Sequence, residues 1–203
     1  MSFQVIIISL GLLLVAMSVH EFAHAWVADK LGDTTARYSG RLTLNPLAHI
    51  DPIGTVLLPI ILFITTQGRF VFGAAKPVPV NYWALRNPRR DMMCIGASGP
   101  LANILTAFGG SLIFRFVPLY PLIGFILENF IAINVVLGVF NLIPLPPLDG
   151  SRILRGLVPR GAGDALDALE PYGFFIVLVL MSLGLLNRIV MPVIGIILSF
   201  LLP

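Results

Sequence analysis

Between Phe3 and Trp26 the chain is apolar except for Gln4, two serines and a short ionisable cluster, and no other stretch constrains the fold as strongly. At about 1.5 Å per helical residue the run exceeds the roughly 30 Å hydrocarbon core of a bilayer. Lipid offers no water to backbone N–H and C=O groups, so such a run crosses as an α-helix that satisfies them internally. No Lys or Arg precedes Lys30 and the run is too long for the apolar part of a secretory signal, so it is expected to remain as the first transmembrane helix.

The ionisable cluster is Ser18-Val19-His20-Glu21-Phe22-Ala23-His24. Charged or titratable groups at this depth are costly and are functional by default. Residues four apart share a helix face, so His20 and His24 can grip one metal ion with Glu21 beside them. The spacing is the H-E-x-x-H of zinc peptidases, where the glutamate is the general base and not a ligand. A catalytic zinc takes three protein ligands and keeps one position open, so a third ligand must come from elsewhere in the chain.

Of the 203 residues 57% are hydrophobic and only 11% charged, against about 25% charged in soluble domains, which identifies an integral membrane protein. The net charge of +3 comes from Lys and Arg scattered beside apolar spans, the pattern of lipid-headgroup contact and not of nucleic-acid binding. Cys94 is the only cysteine, so there is no internal disulfide.

Further crossings are expected at Met92–Phe116, Pro121–Leu142 and in a C-terminal helical hairpin, Tyr172–Leu186 and Ile189–Leu202. Gly99, Asn103, Ala107 and Gly110 form a small-residue stripe along the second crossing that lets another helix approach closely, with Asn103 placed to hydrogen-bond across the interface. Asp51–Thr66 is apolar but short and contains Pro52, Gly54 and Pro59, which predicts a re-entrant segment. The alternation around Arg41-Leu42-Thr43-Leu44 predicts a short strand or hairpin within 30–45, and an edge strand is expected within Phe70–Val80. After Asn141, Pro144, Pro146 and Pro147 break the helix before Asp149-Gly150. The fold class is therefore an all-α polytopic membrane protein of about five transmembrane helices, with a re-entrant segment and short membrane-associated β-strands.

Two stretches together carry a resemblance to a known family. His20–His24 and Asn141-Leu142-Ile143-Pro144-Leu145-Pro146-Pro147-Leu148-Asp149-Gly150 resemble the motifs of the site-2 protease family of intramembrane zinc metallopeptidases, the second fitting its N-x-x-P-x-x-x-L-D-G pattern. Gly99-Pro100-Leu101-Ala102-Asn103 looks like the family's G-P-x-x-N helix, so the resemblance spans about Phe3–Arg155. It implies one zinc ion per chain held by His20, His24 and Asp149, with Glu21 as catalytic base. Asn141 is a candidate either for binding the developing oxyanion or for an interhelical hydrogen bond. His49, between Pro46 and Pro52, reads as structural or interfacial, and Glu128 as reaching the membrane surface.

The implied activity is an intramembrane zinc endopeptidase acting on transmembrane protein substrates, in a prokaryotic cytoplasmic membrane. Neither an inserted peptide-binding domain nor a following regulatory domain is expected: residues 1–203 form one domain, with a catalytic core at about 3–155 and the hairpin at about 172–202. The competing reading is a small ion or proton channel or transporter using the same intramembrane groups. For His20, His24 and Asp149 to meet, the first and third helices must run in one direction. This puts 30–49, 67–91 and 150–165 on the cytoplasmic side and makes 51–66 enter and leave from it. Of the 13 Lys and Arg residues only Arg115 and Arg188 then lie outside, as the positive-inside rule requires.

Overall fold

The computed structural model describes residues 3–65, 73, 75–118 and 120–202. Its first helix, α1 (Phe3–Lys30), ends where Gly32 takes φ 110° and the Asp33 N–H returns to the Ala28 carbonyl at 2.9 Å. Glycine reaches that left-handed conformation without Cβ strain, and the returning bond satisfies one of the last helical carbonyls.

The strand or hairpin expected within 30–45 is not formed. A short helix, α2 (Thr35–Tyr38), and a 3-10 turn at Pro46–His49 stand there instead. A four-residue alternation has no stability without a neighbouring strand, and here the polar groups bond locally. Asp33 Oδ1 accepts the Thr35 N–H at 3.0 Å, and His49 Nε2 donates to the Thr43 carbonyl at 2.8 Å. His49 is buried and structural.

Beyond a π-type turn at Pro52–Leu57 comes α3 (Leu58–Thr65). The Lys76 N–H then donates to the His49 carbonyl at 2.9 Å, so the excursion between them closes on the point where it began. In the stretch expected to hold an edge strand, Phe70-Val71-Phe72 lies outside the described residues. Residues 75–81 join no ladder, since Pro77 and Pro79 have no N–H to give. There is no β-strand among the described residues, and the expected strands are corrected to that extent.

Two long helices follow, α4 (Pro88–Phe116) and α5 (Pro121–Asn141). The α4 stripe of Gly99, Asn103, Ala107 and Gly110 is buried, and α1 and α5 pack against it. Asn103 bonds to the Ala16 carbonyl and Asn134, while His24 bonds to the Ile95 carbonyl. Rising numbers on α1 and α5 therefore meet falling numbers on α4, so α1 and α5 run together and α4 runs against both. Lipid is as apolar as leucine, so close packing and buried polar bonds, more than burial of apolar area, hold these helices together.

The chain finishes with α6 (Asp149–Leu157), α7 (Arg160–Leu169), α8 (Gly173–Ser182) and α9 (Leu185–Leu201). Four described segments are long and apolar enough to cross a membrane: Ile7–Lys30, Pro88–Phe116, Pro121–Asn141 and Gly161–Ser182. About five crossings were expected. The difference lies at the C-terminal end: Gly161–Ser182 makes one span, and beyond Gly184, at φ 70°, α9 has 17 residues, short of the roughly 20 of a full crossing. Gly173 at the start of α8 sits against Pro146, whereas the end of α9 bonds to Ser111 and Arg115 at the far end of α4.

Candidate metal centre

One turn of α1 separates His20 from His24, and both imidazoles face α4 at Gly99. A Cβ on Gly99 would lie 2.5 Å from His24 Nε2 and 2.7 Å from His20 Cε1, so the missing side chain is what lets the two rings enter the helix interface. Asp149 arrives from the other side as the first residue of α6, where the helix dipole favours a carboxylate. Gly150 makes this entry possible: a Cβ there would collide with the Leu142 and Ile143 carbonyls of the proline loop.

The three residues are buried, and their ligand atoms lie within 4.8 Å of one another. Asp149 Oδ2 is 3.0 Å from His20 Nε2 and 3.1 Å from His24 Nε2, and the two Nε2 atoms are 3.1 Å apart.

The groups behind the rings decide where their protons sit. Asn103 Nδ2 donates to the Ala16 carbonyl at 3.1 Å and to Asn134 Oδ1 at 2.9 Å, which turns Asn103 Oδ1 towards His20 Nδ1 at 2.6 Å. An oxygen there accepts, so His20 Nδ1 carries the proton. His24 Nδ1 faces the Ile95 carbonyl at 2.7 Å and is likewise protonated. When neutral, each ring then presents a bare Nε2, the arrangement that outer-sphere partners impose on metal-binding histidines. In that form two imidazole lone pairs and a carboxylate oxygen converge, and such a set attracts a cation.

Glu21 lies beside the cluster, and its Oε2 accepts the Val78 N–H at 3.0 Å. The extended stretch carrying Val78 is held further along by the Asn81 N–H on Asp33 Oδ2 at 2.6 Å. Asn141 is half-buried, and its Nδ2 donates to the Leu137 carbonyl within α5 at 2.9 Å. Glu128 is exposed near the start of α5. A cavity of about 520 Å³ is lined by Val78, Arg89, Pro146, Arg152 and Asp167 among others, and its Arg152 donates to Asp149 Oδ1.

From the sequence Asn103 is legible as a packing residue with a hydrogen bond to give, but its grip on His20 is not. The one available signal is an amide within a small-residue stripe facing an unknown helix. Ser98, whose hydroxyl lies 3.2 Å from His24 Nδ1, carries no sequence signal at all.

The profile of peptidase family M50 matches residues 122–185, which take in most of α5, the proline loop and Asp149. Over 192 residues the chain is 38% identical to YwhC of Bacillus subtilis (strain 168), provisionally named a zinc metalloprotease, covering 90% of this chain and 84% of that one. It is 30% identical over 180 residues to Rip2 of Mycolicibacterium smegmatis, named in the same provisional way, covering 86% and 66%. It is 28% identical over 182 residues to the zinc metalloprotease MJ0392 of Methanocaldococcus jannaschii, covering 87% of this chain and 42% of that one. No solved structure gives a significant match.

Proposed function

The chain belongs to peptidase family M50, the site-2 protease family, and from this we propose that it is an intramembrane zinc endopeptidase that cuts transmembrane protein substrates. The observation that carries the proposal is the convergence of three acceptor atoms, His20 Nε2, His24 Nε2 and Asp149 Oδ2, next to the Glu21 carboxylate. Tetrahedral zinc with bonds of about 2.0–2.1 Å spaces its ligand atoms roughly 3.3 Å apart. The spacings of 3.0–3.1 Å fit that ion with a small adjustment.

His20, His24 and Asp149 would hold the zinc. When bound it supplies Lewis acidity, which polarises a carbonyl and makes water a nucleophile near neutral pH. The chain's own groups do the rest. Glu21 takes a proton from the attacking water as its oxygen bonds to the peptide carbon. It returns that proton to the amide nitrogen as the C–N bond breaks. The Val78 N–H on Oε2 orients the Glu21 carboxylate. Asn141 Nδ2 donates one N–H to the Leu137 carbonyl and has a second N–H for a substrate carbonyl.

The closure of the 49–76 excursion supports a re-entrant segment. The channel or transporter reading finds no support, since the ionisable groups meet at one point and do not line a path. The organisms of the relatives support a prokaryotic membrane.

The test is to purify the protein in detergent, measure its zinc, and incubate it with a panel of single-span membrane proteins. Wild type is expected to cut at least one of them, and Glu21→Gln to keep its zinc and cut none. Equal cleavage by the two proteins would overturn the proposal.

A further inference from the structure

The two oxygens of Asp149 have separate partners. Oδ2 faces both imidazoles, whereas Oδ1 accepts from the Arg152 guanidinium at 3.2 Å. The pair spans a boundary: the Asp149 side chain is 7% exposed and that of Arg152 35%, so the carboxylate is enclosed while the guanidinium borders the cavity.

Packing sets the stem of Arg152 independently of this bond. A Cβ on Gly96 would lie 2.9 Å from Arg152 Cβ and 3.1 Å from the Asp149 carbonyl oxygen, so α6 is seated directly on α4 at both residues. The other arginines of the cavity are committed elsewhere. Arg155 pairs with Asp167 at 2.5 Å, and Arg89 donates to the Val158 carbonyl. Among the described residues only Arg152 forms an ion pair with Asp149 apart from the two histidines.

We propose that Arg152 is a positioning residue for the metal centre: by holding Asp149 Oδ1 it restricts the carboxylate to one metal-facing oxygen and keeps the remaining coordination position open for water. The inference rests on the metal reading above and adds a residue to it. A carboxylate can bind a metal through one oxygen or two, and an Asp149 with nothing on Oδ1 is free to turn and use both. That would fill the position the reaction needs without expelling the ion. A charge-assisted bond to a guanidinium is well suited to prevent the turn, because it is directional and the guanidinium stays protonated at any working pH. Loss of Arg152 should then separate two properties: metal stays bound, while the geometry around it changes and turnover falls about 10- to 100-fold, the usual scale for outer-sphere partners.

The experiment loads the full chain in detergent with cobalt(II) and compares visible absorption for wild type, Arg152→Met and Arg152→Lys, with zinc affinity from chelator competition alongside. Four-coordinate cobalt absorbs more strongly than five-coordinate cobalt. The expected result is one cobalt per chain in all three, a weakened band in Arg152→Met, and partial recovery in Arg152→Lys, which restores one donor. Should the methionine variant not fold, Arg152→Leu gives the same reading. A wild-type spectrum in the methionine or leucine variant, or a lysine variant no better than methionine, would overturn the proposal. Wild-type protein that takes up no cobalt and no zinc would overturn the metal centre itself and this inference with it.

Discussion

Asn103 Oδ1 lies 2.6 Å from His20 Nδ1, and the bond reaches across the α1–α4 interface to fix which nitrogen of the ring stays bare. Asn103→Leu keeps the approximate volume but removes that acceptor. It also strands Asn134 Oδ1. Zinc affinity should fall about 10- to 100-fold. Chelator competition measures this, with thermal unfolding in the same detergent as the check that the helices still pack.

Gly99→Ala should abolish tight metal binding. The new methyl carbon would meet both imidazoles at 2.5–2.7 Å, and neither ring can back away from Asn103 or the Ile95 carbonyl. Gly109, on the same helix, has nothing within 4 Å of a Cβ, so Gly109→Ala should bind zinc as wild type does. Equal zinc content in the two variants would show that the rings have more room than this packing allows.

Val78→Pro removes the only N–H that residue can offer to Glu21 Oε2. With the metal ligands untouched, zinc content should stay at one per chain while kcat for a cleaved substrate drops by about tenfold, the lower end of what outer-sphere losses cost. Parallel metal analysis and cleavage assays decide it. An unchanged kcat would mean that the carboxylate needs no help from this strap.

Acid should release the metal, because a histidine must be neutral and a carboxylate charged to hold it, and protons compete for both. Zinc release followed by a fluorescent indicator should rise as pH is lowered from about 7 to about 4. A protein equally loaded at both pH values would reverse the assignment of His20, His24 and Asp149 as ligands.

Single cysteines at Arg37 and Arg86, in a Cys94→Ser background, should both resist an impermeant thiol reagent added outside intact cells, while one at Tyr120 should react. The His49–Lys76 backbone bond at 2.9 Å closes the excursion between the first two positions, as a re-entrant segment requires. Labelling at Arg86 but not at Arg37 would require a full crossing between them.

The sequence by itself determined the membrane setting, the helix that carries His20 and His24 and the break after Asn141. Each depends on local physics: apolar length, one-turn spacing, and prolines without N–H groups. The pairing of the two motifs came from the family resemblance. The small-residue stripe on α4 was readable too, since close helix approach demands missing side chains wherever the partner lies. The tertiary structure decided what no local pattern encodes. The alternation at Arg41–Leu44 acquired no partner strand, and its polar groups bonded nearer to hand. The turn of the C-terminal hairpin fell at Gly184, ahead of its expected place after Leu186. Asn103 found His20 and the Val78 N–H found Glu21, across separations of 83 and 57 residues. A hydrogen-bonding group declares its capacity in the sequence, but its partner is chosen by the packing of helices that bring the two within 3 Å.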